Sequence, residues 1–257
     1  MQLDVIGAGP AYSDRPGAVG ACYLVTAERT AIVLDLGHGA FSGLASRVDP
    51  ATLDAVLVSH LHADHFVDLV PLRHYLRYEC PPGSRVRVIA PPGLADRIDG
   101  LAGEQGFAAA SLDVEDLAPG TVRIGPLTIE AALVTHTTSS FGFRVAGFDG
   151  TGLVYSGDLA VADDLGPITR PGDVLLIEAA FGPGPVEQGA MHLDGPAVGR
   201  FAVAARVGRV LVTHVLMRRD VERTLAAIRS QYRGPVDLVV PGSHADIGGP
   251  LGATASA

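Results

Sequence analysis

Three histidines and one aspartate fall within six consecutive residues, His60-Leu61-His62-Ala63-Asp64-His65. They follow directly on Asp54–Ser59 (DAVLVS), a continuous apolar run that predicts a strand buried on both faces. Ligand-type side chains at the end of such a strand have rigid support and face open space, as a reactive metal site requires. His60 and His62 stand at i and i+2, so extended chain points both the same way. Asp64 and His65 sit at the turn into the next predicted helix and aim elsewhere. One short segment can therefore serve two neighbouring metals.

The other candidates also stand just after predicted strands. His136 follows Leu127–Val134, Asp158 follows Leu153–Ser156 and His214 follows Val210–Thr213. With the first segment they make five histidines (His60, His62, His65, His136, His214) and two aspartates (Asp64, Asp158). This nitrogen and oxygen set suits Zn2+ and also holds Mn2+ or Fe. Two metals sharing seven protein ligands need one bridging carboxylate, and Asp158 is the natural bridge. Sulfur takes no part, because Cys22 and Cys80 form no CxxC pair. Two cysteines are also too few for a disulfide framework, which points to a reducing compartment.

Composition narrows the function classes. The chain has 257 residues, 47% hydrophobic and 18% charged, enough to bury one large core or two small ones. Its net charge is -9, and all 19 basic residues are arginine. The absence of lysine excludes a Schiff-base lysine, a pyridoxal phosphate anchor and a P-loop lysine. Without a basic run, no extended nucleic-acid surface is expected. The segment Gly7-Ala8-Gly9 has Tyr12 where a dinucleotide fingerprint needs a third glycine. The N-terminus MQLDVIGAGP does not resemble a signal peptide, and no apolar stretch approaches the roughly 20 residues needed to span a bilayer. A cytoplasmic protein without a membrane partner is expected.

Along the chain, short β-rich runs alternate with helices. Strands are predicted at Leu3–Ile6, Ala21–Thr26, Thr30–Leu36, Asp54–Ser59 and Arg85–Ala90. Hairpins are predicted around Gly125-Pro126 and around Asp149-Gly150, and further strands at Val174–Glu178, Val210–Thr213 and Asp237–Val240. Leu69, Leu72 and Leu76 recur at helical spacing and predict a helix over Phe66–Tyr78. Other helices are expected after Pro91-Pro92-Gly93, over Pro196–Val207 and near Arg219–Tyr232. The segment from Ile247 to Ala257 reads as a loose tail, and His244 as a loop residue after the last strand. Each half carries hairpins first and helix-linked strands later, as two β-rich halves packed face to face with helices outside would.

The run Ser59-His60-Leu61-His62-Ala63-Asp64-His65, followed by His136, Asp158 and His214 in that order, resembles the metallo-β-lactamase superfamily. The resemblance extends from Asp35 to His214. It implies a single α/β domain over residues 1–257, a four-layer αββα sandwich with two divalent metal ions at one edge of the sheets. In the family's pattern His60, His62 and His136 bind the first metal, Asp64, His65 and His214 the second, and Asp158 bridges. Asp35 would support the site from behind. Such a centre polarises the electrophile and makes hydroxide available near neutral pH, which serves phosphodiesters, lactones and thioesters alike.

The segment Met191-His192-Leu193-Asp194-Gly195-Pro196 is similar to the His-Ser-Thr loop of the ribonuclease Z and phosphodiesterase branch, 22 residues before the last ligand. Leu193-Asp194 replaces Ser-Thr, and Asp194 or Gly195 can still cap the following helix. In that branch the histidine protonates the departing oxygen, so Asp64 and His192 are the catalytic candidates. Glu178 resembles the glutamate of the branch's His-Glu-Ala-Thr segment, with Ile177 and Ala180 in place of His and Thr. Arg218 stands where the branch has an arginine after the last histidine, suited to a phosphate oxygen. His38, after Gly37 near the expected site mouth, is a candidate substrate contact.

Only 21 residues separate His136 from Asp158, room for a hairpin but not for the RNA-gripping arm of tRNA-processing enzymes. The expectation is a metal-dependent phosphodiesterase acting on a small or cyclic phosphodiester through a dinuclear metal-bound hydroxide, zinc first and manganese second. The alternatives are a lactonase or thioesterase-type metallohydrolase and a ribonuclease Z-like RNA endonuclease. Relatives in the branch form dimers, which makes a homodimer the implied assembly.

Overall fold

Successive residues of the strands point to opposite faces, and in the central strands of each sheet both faces are apolar, so each sheet must be covered on both sides. The computed structural model describes residues 1–15, 17–148 and 150–248. Asp149 of the predicted turn and all but the first two residues of the predicted tail lie outside that range.

The first sheet is built from β1 (Gln2–Gly7), β2 (Cys22–Ala27), β3 (Thr30–Leu34), β4 (Ala55–Leu57), β5 (Val86–Ala90) and β6 (Leu112–Asp116). The second is built from β7 (Gly120–Ile124), β8 (Leu127–Leu133), β9 (Phe141–Ala146), β10 (Gly152–Tyr155), β11 (Val174–Glu178), β12 (Arg209–Thr213) and β13 (Val236–Leu238). A last strand, β14 (His244–Asp246), returns to the first sheet and pairs antiparallel with β1. The sheet orders are β14-β1-β2-β3-β4-β5-β6 and β13-β12-β11-β10-β9-β8-β7. Each sheet is antiparallel on one side and parallel on the other, the parallel parts being β3 to β6 and β10 to β13.

Alternation sorts the apolar residues into three layers. Tyr23, Val25, Ile32, Leu34, Leu57, Phe143, Tyr155, Leu176 and Leu211 meet between the sheets. From the same strands of the first sheet, Leu24, Val33, Val56 and Val88 face outward onto Leu44, Leu69, Leu72 and Ile98. Those residues belong to α1 (Phe41–Ala45), α3 (Leu69–Tyr78) and α4 (Leu94–Ala102), with α2 (Ala63–Phe66) on the same side. On the second sheet Val154, Leu175, Ile177 and Val212 face Val198, Phe201 and Ile228 of α5 (Gly195–Ala204) and α6 (Val221–Gln231). Two sheets between two helical layers make the expected four-layer αββα sandwich.

Three expectations need correction. The helix predicted over Phe66–Tyr78 is two helices, because the Asp68 amide donates to the Leu36 carbonyl (3.1 Å) and its carboxylate accepts the Phe41 amide (2.7 Å). Those bonds tie the break to the exit of β3. His244 is a strand residue, opposite Asp4 in the β14–β1 ladder, with its Nδ1 3.3 Å from Asp4 Oδ1. β6 had no counterpart in the sequence reading. Its acidic face is completed from outside, by Arg85 on Asp113 and Arg87 on Glu115. The helix start after His192 follows expectation, with Asp194 accepting the Ala197 amide at 2.9 Å.

Candidate metal centre

Every predicted ligand lies just beyond the carboxyl end of a strand or on the short helix that follows it, so the ligands converge at one edge of the two sheets. Asp35 follows β3 in a left-handed conformation (φ 57°), a strain of roughly 1–2 kcal/mol for a residue with a Cβ. The strain is held by a dense set of bonds. The Ser59 amide (2.6 Å) and hydroxyl (2.7 Å) both donate to the Asp35 carboxylate, as does Tyr155 Oη (2.6 Å). His65 Nδ1 is 2.7 Å from the same carboxylate, so that nitrogen carries the proton and Nε2 faces the cluster. Ser59 Oγ is also 3.1 Å from His60 Nδ1, which turns His60 Nε2 inward. On the opposite sheet His136 Nδ1 donates to the Met191 carbonyl (2.7 Å) and presents Nε2 in the same way.

Asp158 stands in the middle. Its Oδ1 is 3.5 Å from His65 Nε2, and its Oδ2 is 3.4 Å from His214 Nε2 and 3.8 Å from both His60 Nε2 and His136 Nε2. Asp64 Oδ2 lies 3.6 Å from His65 Nε2 and 4.0 Å from His214 Nε2, and His62 Nδ1 lies 3.2 Å from His136 Nε2. Most of these gaps are long for hydrogen bonds. They suit ligands sharing an ion, because two ligands about 2.0–2.1 Å from a tetrahedral metal stand roughly 3.3 Å apart. The ligand atoms of His60, His62, His136 and Asp158 lie within 4.8 Å of one another, and so do those of Asp64, His65 and His214. A third such group joins Asp158, His192 and His214.

The donor set fits divalent cations. His60 Nε2, His65 Nε2 and Asp158 Oδ1, which face the cluster, are buried with no hydrogen-bond partner among the described residues. Orphaned buried polar atoms are rare in folded proteins, and here they gather at one point. Titration favours the same reading. Burial, then repulsion from His65, pushes the His60 pKa well below the usual histidine value, and burial with His136 lowers that of His62. Burial opposes charge on Asp158, but His214 and His65 outweigh it and hold the carboxyl well below its ordinary range. Burial likewise opposes charge on His65, and Asp158 and Asp35 outweigh it and hold its pKa well above the ordinary value. The lowered values of His60 and His62 around an ionised Asp158 give the protonation states that metal ligation requires, and an ion at His65 would have to displace its Nε2 proton.

Two glycines permit this approach. A Cβ on Gly37 would fall inside contact distance of the Asp64 carbonyl oxygen, which also accepts the Ala21 amide at 3.0 Å. Gly157 holds φ 56°, and a Cβ there would stand 2.9 Å from Ser59 Cβ. Gly37→Ala is expected to displace the Asp64 segment and to cost about 3 kcal/mol in urea unfolding, with weaker metal retention. Unfolding unchanged from the parent protein would show that the segment has slack. Asp35→Ala removes the acceptor of four donors, and metal affinity is expected to fall about 10–100-fold, measured by competition with a chromogenic chelator. Affinity equal to the parent would remove Asp35 from the support of His65.

The remaining candidates fall in different places. His192 is half-buried at the cluster's edge, its Nδ1 2.8 Å from Glu178 Oε1 and 3.9 Å from Asp158 Oδ2. Burial lowers its affinity for a proton, but the bond to Glu178 and the charges of Glu178 and Asp158 outweigh that and raise its pKa. Glu178 is fully buried and also accepts the amides of Leu159 (3.0 Å), Ala180 (2.9 Å) and Leu193 (3.3 Å). His38 packs against Gly20, whose Cβ would meet its Nδ1 at 2.8 Å, and lies beside the Asp64 backbone. Arg218 is exposed and forms no hydrogen bond with a described site residue. Ser59 and Tyr155, which fix Asp35, were not singled out from the sequence. A serine closing an apolar strand and a tyrosine inside one carry no pattern that separates them from core.

Comparisons with known proteins bear on the family and the fold. A family model described as "Beta-lactamase superfamily domain" matches residues 31–215. The chain is 34% identical over 232 residues to an uncharacterized protein of Mycobacterium tuberculosis, Rv1339, covering 88% of this chain and 85% of that protein. It is 27% identical over 271 residues to a ribonuclease Z of Mycobacterium marinum, covering 93% and 95%. The crystal structure of the metallo-β-lactamase fold protein YhfI from Bacillus subtilis superposes with a TM-score of 0.84 at 21% identity, covering 95% and 99%.

Proposed function

The chain belongs to the β-lactamase superfamily, and on that premise we propose that it is a phosphodiesterase that holds two divalent metal ions, zinc or manganese, and hydrolyses a small or cyclic phosphodiester. In this reading His60, His62 and His136 hold one ion, Asp64, His65 and His214 hold the other, and Asp158 bridges. Once bound, the ions polarise the phosphoryl group and make hydroxide available near neutral pH.

The observation that carries the choice of phosphodiester is the His192–Glu178 pair. Glu178 Oε1 accepts a hydrogen bond from His192 Nδ1–H and stabilises the imidazolium, whose Nε2 proton then goes to the departing oxygen, leaving a neutral imidazole. A departing alkoxide needs that proton far more than a thiolate does, so a thioesterase would gain little from the pair. Asp64 Oδ2 orients the attacking water, and Arg218 and His38 are offered as contacts for the substrate's remaining groups. The ribonuclease Z relative supports phosphorus chemistry. Between His136 and Asp158 this chain has mainly the β9–β10 hairpin, which favours a small substrate over folded RNA. The shared core between the sheets supports reading the chain as one domain, and two free cysteines support a cytoplasmic location. No helix among the described residues is long and apolar enough to cross a membrane.

The test is hydrolysis of bis(p-nitrophenyl) phosphate by zinc- and manganese-loaded protein beside a matched His214→Ala control. The expected result is turnover that vanishes in the control. No turnover in a protein confirmed to hold two metals would move the reading to carboxyl-ester, lactone or thioester substrates.

A further inference from the structure

The ligand cluster draws on both sheets. His60, His62, Asp64 and His65 follow β4 of the first sheet, and His136, Asp158 and His214 follow β8, β10 and β12 of the second. The separation of the sheets at this edge therefore sets the distances between ligand atoms. Two tyrosines cross that gap in opposite directions. Tyr155 of β10 reaches Asp35 beyond β3, its Oη donating to Oδ2 at 2.6 Å. Tyr23 of β2 reaches Thr213 at the end of β12, with the two hydroxyl oxygens 2.5 Å apart. The rings pack on each other between the sheets, their centroids 5.0 Å apart and their planes inclined by 55°.

Phenylalanine would fill the same space. Both tyrosines are buried, and a buried hydroxyl is costly unless it is bonded, so the two hydroxyls answer to their partners. Those partners share a task. Asp35 holds His65 Nδ1 at 2.7 Å. Thr213 precedes His214, and the Thr213 hydroxyl (3.3 Å) and the His214 amide (3.1 Å) both donate to the Ala8 carbonyl. With Thr213 donating there, Tyr23 Oη is the donor of the bond between the two hydroxyls. Asp35 (φ 57°) and His214 (φ 55°) are also the two non-glycine residues of the site that stand in the left-handed conformation. Such a backbone persists only where its surroundings over-determine it. One tyrosine ends on the first of these residues and the other on the neighbour of the second. His65 and His214, with Asp64, form one of the ligand groups.

We propose that Tyr23 and Tyr155 are positioning residues for the ion assigned to Asp64, His65 and His214, a crossed clamp that holds the two sheets at the separation this ion requires. This rests on the dinuclear reading given above. The group of His60, His62 and His136 depends on the clamp less, because the Met191 carbonyl holds His136 and only Ser59 links His60 to Asp35.

Calorimetric titration of metal-free protein with Zn2+ tests the clamp in Tyr23→Phe, Tyr155→Phe and the double variant, which keep both rings and lose the hydroxyls. One equivalent is expected to keep the parent affinity, and the other to weaken about tenfold in each single variant and further in the double. Added to His62→Ala, the double change should weaken the remaining site at least about tenfold; added to Asp64→Ala, it should leave the remaining site within about twofold. Val145→Ala is the control for stability alone. Val145 lies in the same core layer and pairs with Leu153, two residues before Tyr155. That variant should unfold at lower urea concentration and bind both equivalents as the parent does. Tyrosine variants that keep both affinities, that weaken both equally, or that weaken one no more than Val145→Ala does would overturn the clamp and leave the dinuclear reading standing. A parent protein that takes up a single equivalent would overturn both.

Discussion

Asp158→Ala is expected to hold fewer than two metal ions and to lose at least about a thousandfold in turnover, the several kcal/mol that a metal supplies to a charged transition state. Among the described residues it is the one carboxylate that reaches both groups of ligands. One oxygen faces His65, and the other faces His214, His60 and His136. In the proposed dinuclear reading its removal would take a ligand from each ion together with the negative charge that these imidazoles surround. The other ligands each serve one group only, so a single-site loss is expected from His62→Ala or Asp64→Ala. Elemental analysis of the purified variant, with circular dichroism as a check on folding, reads the outcome. A folded Asp158→Ala protein that keeps two ions would contradict the bridging role.

The second large effect is selective rather than total. His192→Ala is expected to slow cleavage of a nucleoside 2′,3′-cyclic phosphate by about 100-fold or more, the usual range for a lost general acid. The same variant should slow a p-nitrophenyl ester by less than about tenfold, because p-nitrophenolate leaves without a proton. Glu178→Gln should follow the same pattern more weakly, since Gln accepts the Nδ1 bond but no longer stabilises the imidazolium. Equal losses on both esters would remove the acid role from His192 and leave a structural contact.

Most of the candidate site was legible because its residues obey local rules. Each ligand follows a strand whose apolar run is visible in the sequence, and the i, i+2 spacing of His60 and His62 follows from the strand period. The four layers were legible for the same reason, since both faces of β2, β3, β11 and β12 are apolar. What escaped depends on partners distant in sequence. The break at Asp68 answers to Leu36 and Phe41, β14 forms only on the edge that β1 offers, and the acidic β6 is neutralised by Arg85 and Arg87 of the β5 segment. Ser59 and Tyr155 are of the same kind, since only the fold brings them to Asp35.

The proposed dinuclear centre is built by seven side chains, six of them gathered around Asp158. Titration of metal-free protein with Zn2+, followed by calorimetry and by hydrolysis of bis(p-nitrophenyl) phosphate in the same samples, tests it most directly. The account predicts two equivalents bound per chain, with hydrolysis rising until the second is taken up. Saturation at one equivalent with full hydrolysis would contradict it.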